Sequence, residues 1–196
     1  MRTTAVPFDA VVIGASAGAI EALSRILPNI PADYPAAIMV VVHVPPDSNS
    51  MLVELFQRKS EVRVKEAEDK ETIEVGTVYF APPDYHVLVE PNRRLSLSGE
   101  EPINYSRPSI DVLFESAAEC YRERLLGIVL TGANSDGARG LRAIVDAGGA
   151  AVVQDPDSAL VSAMPLAALQ ACPTARTLDL EEISDHLRRI ALGTVT

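Results

Sequence analysis

Two kinds of apolar stretch alternate along this 196-residue chain. Residues 10–13, 36–44 and 125–130 are short, almost unbroken apolar runs. Runs of this kind predict strands of a parallel sheet, which are covered on both faces and so need no polar residue at every second position. Each is followed by a stretch with helical spacing: 18–27, then 49–59 with Leu52, Leu55 and Phe56 on one face, then 140–147. Gly148-Gly149 ends the last of these, and 150–153 reads as another strand. A helix over 110–124 is led in by Arg107-Pro108-Ser109, and Met164-Pro165 opens a final pair of helices, of which 181–192 is amphipathic.

The middle of the chain has a different rhythm. Residues 62–67, 77–81, 86–90 and 94–98 are short, partly alternating segments punctuated by Gly76, Pro82-Pro83, Pro91-Asn92 and Gly99. They predict an antiparallel hairpin or edge insertion. The fold class expected from the whole pattern is α/β, a mostly parallel, doubly wound sheet flanked by helices, with a small antiparallel hairpin insertion. The chain has no repeat, low-complexity tract or linker, and residues 1–196 are expected to form one domain.

In such a sheet ligands bind outside the carboxyl ends of the strands. Three polar side chains fall there. Ser16 stands in Gly14-Ala15-Ser16-Ala17-Gly18, a G-x-S-x-G spacing whose small residues allow a sharp strand-to-helix turn. The helix that follows offers free N–H groups and a partial positive charge to a developing oxyanion. Ser16 could equally cap that helix, and the glycines could form a dinucleotide loop, although that fingerprint wants glycine at the serine position and an acidic residue after the next strand. His43 lies near the end of the second apolar run, before Val44-Pro45-Pro46. A histidine there is either a satisfied core residue or a general base reached from a neighbouring strand end. Asp136 follows the third run in Thr131-Gly132-Ala133-Asn134-Ser135-Asp136-Gly137. It is either a turn or cap aspartate or the carboxylate that fixes an imidazole tautomer. The order Ser…His…Asp is not that of the familiar hydrolase folds, but triads recur by geometry on unrelated folds.

Composition narrows the classes. The net charge of −10 would repel a phosphate backbone, so no nucleic-acid partner is expected. No signal peptide opens the chain and no run approaches the ~20 apolar residues of a membrane span, so a cytoplasmic, non-embedded protein is expected. Cys120 and Cys172 are too few for a disulfide framework and read as small buried thiols. No Cys/His cluster has ligand spacing, and neither a metal nor a cofactor is expected.

Several separate stretches carry a resemblance. Val12-Ile13-Gly14-Ala15-Ser16, Val42-His43-Val44, the segment Tyr79-Phe80-Ala81-Pro82-Pro83-Asp84-Tyr85-His86, and Arg107-Pro108-Ser109-Ile110-Asp111-Val112-Leu113-Phe114 occur in the order seen in one family. So do Leu130-Thr131-Gly132, Asp136-Gly137-Ala138, Gln154-Asp155-Pro156 and Ala163-Met164-Pro165. From about Asp9 to Leu192 the chain resembles the catalytic domain of the chemotaxis protein-glutamate methylesterases. The resemblance implies hydrolysis of glutamate methyl esters on chemoreceptors with release of methanol, and in some members deamidation of receptor glutamines. It implies Ser16 as nucleophile, His43 as base and Asp136 as orienting carboxylate. Backbone N–H groups at Ala17 and around Ala133 become oxyanion-hole candidates, and Arg107 and His86 become candidates for substrate contact. The alternatives are that Arg107 braces a turn and His86 serves packing. His186 reads as part of an exposed terminal helix with no role.

The chain departs from the family at Ala17 and Ala19, where threonine and glycine are usual, and at Ala133 and Asn134, where methionine and glycine are usual. These changes keep open a serine esterase acting on another ester, and a noncatalytic interaction module on the same fold. Members of the family often carry an N-terminal receiver domain, and none is expected here: the enzyme is then free of that control, is controlled by another chain, or the sequence is a fragment. The implied partners are cytoplasmic segments of methyl-accepting chemoreceptors, joined by a separate regulatory chain in the case where control comes from another chain. General-base chemistry implies activity that rises with pH as His43 loses its proton.

Overall fold

The structure is a computed structural model that describes residues 7–43 and 49–194; Val44, Pro45 and Pro46, which follow the histidine in the sequence pattern, lie outside the described residues. The first apolar run becomes strand β1 (Ala10–Ala15), every residue of which is buried. It pairs in parallel with β2 (Ala37–Val42) on one side and with β7 (Leu125–Val129) on the other. The sheet grows outward in both directions, through β4 (Thr77–Phe80) and β3 (Arg63–Glu66) beyond β2, and through β8 (Ala150–Gln154) and β9 (Arg176–Leu178) beyond β7. All seven strands of the main sheet are parallel.

Alternate residues of the central strands feed two cores. Val11, Ile13 and Ala15 of β1, with Ile38, Val40 and Val42 of β2, pack with residues of helices α1 (Ala19–Ile26), α2 (Asn49–Lys59) and α6 (Leu180–Ala191). Ala10 and Val12, with Ala37, Met39 and Val41, pack on the other face with residues of α3 (Ile110–Tyr121), α4 (Ala138–Asp146) and α5 (Ala163–Ala171). Burial on both faces explains the unbroken apolar runs, since neither side of these strands meets water.

Two sequence expectations are revised. β3 and β4 belong to the main parallel sheet rather than to an antiparallel insertion; only β5 (His86–Val89) and β6 (Leu95–Ser98) form the separate hairpin. The hairpin packs on the second core through Val87, Val89 and Leu95. β9 was not foreseen at all, being three residues long with two of them exposed.

The chain leaves β1 toward β2 and returns from the hairpin and α3 to β7 on the opposite side, so the strand order switches direction next to β1. A crevice at the carboxyl ends is expected at such a point. The register makes the placement specific. Ala15 pairs with Val42, so Ser16 and His43, each the next residue, stand abreast.

Candidate active site

The turn after β1 is tied down by its neighbours. Ser16 N–H donates to the Thr131 carbonyl at 2.9 Å, His43 N–H donates to the Ala15 carbonyl at 3.1 Å, and the Thr131 hydroxyl donates to the Ala17 carbonyl at 2.8 Å. Gly18 then enters α1 with φ at 87°, a left-handed conformation that a Cβ would strain. A Cβ there would also stand 2.9 Å from the Thr131 methyl and from Leu160 Cβ. Gly14, inside β1, allows Ile110 to sit on the strand, since a Cβ would stand 2.4 Å from Ile110 Cγ2. The glycines of the G-x-S-x-G spacing thus serve a turn and a close helix approach. The helix-cap reading of Ser16 is not realised: the N-cap of α1 is Gly18, with no side-chain cap.

His43 and Asp136 meet. His43 Nε2 lies 2.9 Å from Asp136 Oδ2, with the carboxylate fully buried and the imidazole 12% exposed. Asp136 accepts four more bonds: from Ile110 N–H at 2.7 Å on Oδ2, and from the Ser109 hydroxyl at 2.9 Å, Asp111 N–H at 3.1 Å and the Asn104 amide at 3.3 Å on Oδ1. Both oxygens are saturated, so the carboxylate cannot rotate without breaking several bonds at once. Two of the donors are the first free N–H groups of α3, whose dipole favours an anion there. Burial alone would push the Asp136 carboxyl up, but the bond from His43 and the N–H groups of Ile110 and Asp111 hold it below the ordinary carboxylate value. Asp136 is therefore a carboxylate, and the proton in its bond with His43 is on Nε2, which in the neutral ring puts the lone pair on Nδ1.

Asp111 returns the favour to the helix beyond Asp136. Its Oδ1 accepts from Gly137 N–H at 2.9 Å and Gly140 N–H at 2.7 Å, the N-cap and the first turn of α4. Burial pushes the Asp111 carboxyl up, opposed by the Gly140 N–H bond and reinforced by the charge of Asp136. Gly137 has φ at 95°, and a Cβ on it would come within 2.7 Å of Ile110 Cγ2. The same isoleucine side chain thus closes on Gly14 and Gly137 and draws the serine strand and the aspartate loop together.

The remaining groups lie around His43 Nδ1. The Asn134 side chain accepts the Asp136 N–H on Oδ1 at 3.1 Å, which turns its amide nitrogen toward Nδ1 at 3.4 Å. Ser16 is half-buried, and its hydroxyl makes no hydrogen bond among the described residues. Catalytic hydrogen bonds often tighten only when substrate is present. Ala17 and Ala133 are both exposed, and neither N–H is engaged among the described residues. The two oxyanion candidates are thus free to donate.

His86 and Arg107 are both tied into the segment ahead of α3. His86 is 2% exposed. Its Nδ1 accepts Ser109 N–H at 3.1 Å, and Nε2 donates to the Glu101 carbonyl at 3.1 Å, which leaves the ring no free nitrogen. It holds the segment that delivers Ser109 and Ile110 to Asp136. Arg107 donates to the carbonyls of Gly99 and Glu100, both at 3.0 Å, and so braces the turn before α3. His186 is buried rather than exposed. Asn104 was not singled out from the sequence. Its only signal was Asn before an aromatic ahead of a helix, and its left-handed φ of 51° is typical of asparagine in a turn.

Comparison with known proteins adds independent findings. Residues 11–187 match the family model described as CheB methylesterase. A Leptospira interrogans protein, provisionally named protein-glutamate methylesterase/protein-glutamine glutaminase, is 45% identical over 183 residues, which are 93% of this chain and 95% of that protein. The protein-glutamate methylesterase/protein-glutamine glutaminase of Archaeoglobus fulgidus is 38% identical over 182 residues, 91% of this chain but 52% of that protein. The crystal structure of the Thermotoga maritima CheB methylesterase catalytic domain superimposes with a TM-score of 0.89 at 34% identity, covering 94% of this chain and 98% of that one.

Proposed function

The chain belongs to the CheB methylesterase family, and from that premise we propose that it is a serine hydrolase that demethylates glutamate methyl esters on methyl-accepting chemoreceptors, releasing methanol, and that it also deamidates receptor glutamines. The observation that carries the reading is the His43–Asp136 pair at 2.9 Å, level with Ser16 at the carboxyl edge of the sheet. Among the described residues no helix is long and apolar enough to cross a membrane, which agrees with a protein acting on receptor segments in the cytoplasm.

The chemistry runs as acyl transfer in two halves. Ser16 Oγ attacks the ester carbonyl carbon as its proton passes to His43 Nδ1, and the carbonyl electron pair moves onto oxygen. Asp136 stabilises the imidazolium through Nε2 and stays a carboxylate itself. The N–H groups of Ala17 and Ala133 receive the oxyanion. Collapse of the tetrahedral intermediate breaks the bond to the methoxy oxygen, which leaves as methanol with the proton from His43. Water, deprotonated by His43, then attacks the acyl-serine; the acyl–Oγ bond breaks, His43 returns the proton to Ser16 Oγ, and the glutamate carboxyl is freed. An amide substrate follows the same path with ammonia as the leaving group.

Methanol release from a methylated chemoreceptor fragment tests the reading. Wild type is expected to release methanol and Ser16→Ala to release none. Cleavage of p-nitrophenyl acetate by wild type alone, without methanol release from the fragment, would keep the serine and overturn the substrate. Equal methanol release by both proteins would overturn Ser16 as the nucleophile.

A further inference from the structure

Asn134 does nothing in the mechanism above, yet its side chain is set as carefully as those that do. Its Oδ1 is held by Asp136 N–H at 3.1 Å, so the amide cannot flip without losing that bond. The nitrogen end consequently faces Nδ1 of His43 at 3.4 Å, the atom that receives the Ser16 proton. The next residue back is Ala133, an exposed residue whose N–H is unengaged among the described residues. A second N–H of the Asn134 amide has no partner among the described residues.

We propose that Asn134 is a catalytic residue, a side-chain donor that moves from His43 Nδ1 to the substrate oxygen as that oxygen becomes negative. The inference rests on Ser16, His43 and Asp136 acting as described above. At rest Nδ1 offers a lone pair, and the amide N–H lies against it through a long, weak bond. When Ser16 transfers its proton, Nδ1 becomes a donor and the two N–H groups repel. In the same step the substrate carbonyl oxygen gains the electron pair and becomes the strongest acceptor in the site. One proton transfer therefore releases the donor and creates its new acceptor. No bond of Asn134 Oδ1 need break, so the amide stays oriented, as a donor aimed at developing charge should be.

Asn134→Ala and Asn134→Asp test this on p-nitrophenyl acetate and on a methylated receptor fragment. Loss of one such donor lowers turnover on the order of 10²-fold. Asn134→Ala is expected to lose about that much in kcat with little change in KM, in melting temperature or in the midpoint of the pH–rate profile. Asn134→Asp keeps an oxygen for Asp136 N–H but supplies no donor, and it is expected to be at least as slow. Full activity of the Asp variant would mean that the side chain only holds Asp136, and would overturn the proposal. So would an Ala variant as fast as wild type, or faster, because the amide would then merely obstruct the base. A displaced pH midpoint with an undiminished plateau would mean that the amide only tunes His43, which also overturns it. Those results leave the esterase reading intact provided wild type cleaves both substrates; failure of wild type on both would remove the esterase reading and the proposal together.

Discussion

Asp111 and Asp136 each cap the helix the other introduces. Asp136, just ahead of α4, accepts the first N–H groups of α3, and Asp111, in the first turn of α3, accepts the N–H groups of Gly137 and Gly140 at the start of α4. Neither helix has a side-chain cap from its own N-cap residue. The exchange fixes the two helix starts against one another, and the carboxylate facing His43 inherits that rigidity.

Asp111→Ala would leave the Gly137 and Gly140 N–H groups buried without a partner. Such a change should cost about 2–4 kcal/mol of stability, with activity falling as the Asp136 loop relaxes. Asp111→Asn keeps an acceptor oxygen and the volume, and it removes a charge that burial already disfavours. It should recover most of the loss. Urea unfolding of the two variants beside ester hydrolysis reads both effects, and an Ala variant as stable as wild type would mean that the exchanged caps carry no weight.

Asp136→Asn replaces a saturated acceptor with a group that must turn an NH2 toward N–H donors. Turnover should fall about 10⁴-fold, the loss seen when a histidine is left in the wrong tautomer. The variant also changes acid stability. Because the Asp136 carboxyl is held below its ordinary 3.8, its contribution is complete above that value and is lost as pH falls through the depressed native value. Acid unfolding followed by circular dichroism should lose that component in the variant.

His186 sets a second pH response, at milder acidity. Burial lowers its pKa from 6.5, with Arg176 and Arg189 adding repulsion of the charged form. The unfolded chain therefore takes the proton more readily than the fold does. The stability due to the neutral imidazole is full above 6.5 and declines as pH falls toward the native value. His186→Leu should make the melting temperature less dependent on pH between about 7 and 5; an unchanged dependence would assign the response to other groups.

The parts of the fold that were legible and those that were not differ physically. β1, β2 and β7 stand out because they are covered on both faces, and the G-x-S-x-G turn because glycine is demanded both by a left-handed φ and by Ile110. β3 was misread because an edge strand alternates whichever way its neighbour runs: Val64 is buried while Arg63 is exposed. β4 is wholly buried, but four residues between loops carry too little pattern to reveal a parallel partner. The burial of His186 was readable, since it lies three residues after Ile183 and four before Ile190, on the apolar face of α6. Ser16, His43 and Asp136 could each be placed at a strand end, but what surrounds them could not. Asn104, Ser109, Ile110 and Asp111 reach Asp136 across 25 to 32 residues of sequence. Local patterns say nothing about which helix start an aspartate will face.

The placement of β1 between β2 and β7 has a consequence for how the protein acquires activity. The base arrives with one wing of the sheet, and its carboxylate with the other, 93 residues later. Contacts of such long sequence separation form late, after loop closure has been overcome. A chain halted with only one wing assembled could show native-like helix content and still cleave nothing. Recovery of ester hydrolysis during refolding would then time the docking of the two wings onto β1, whereas circular dichroism would report the earlier, local steps.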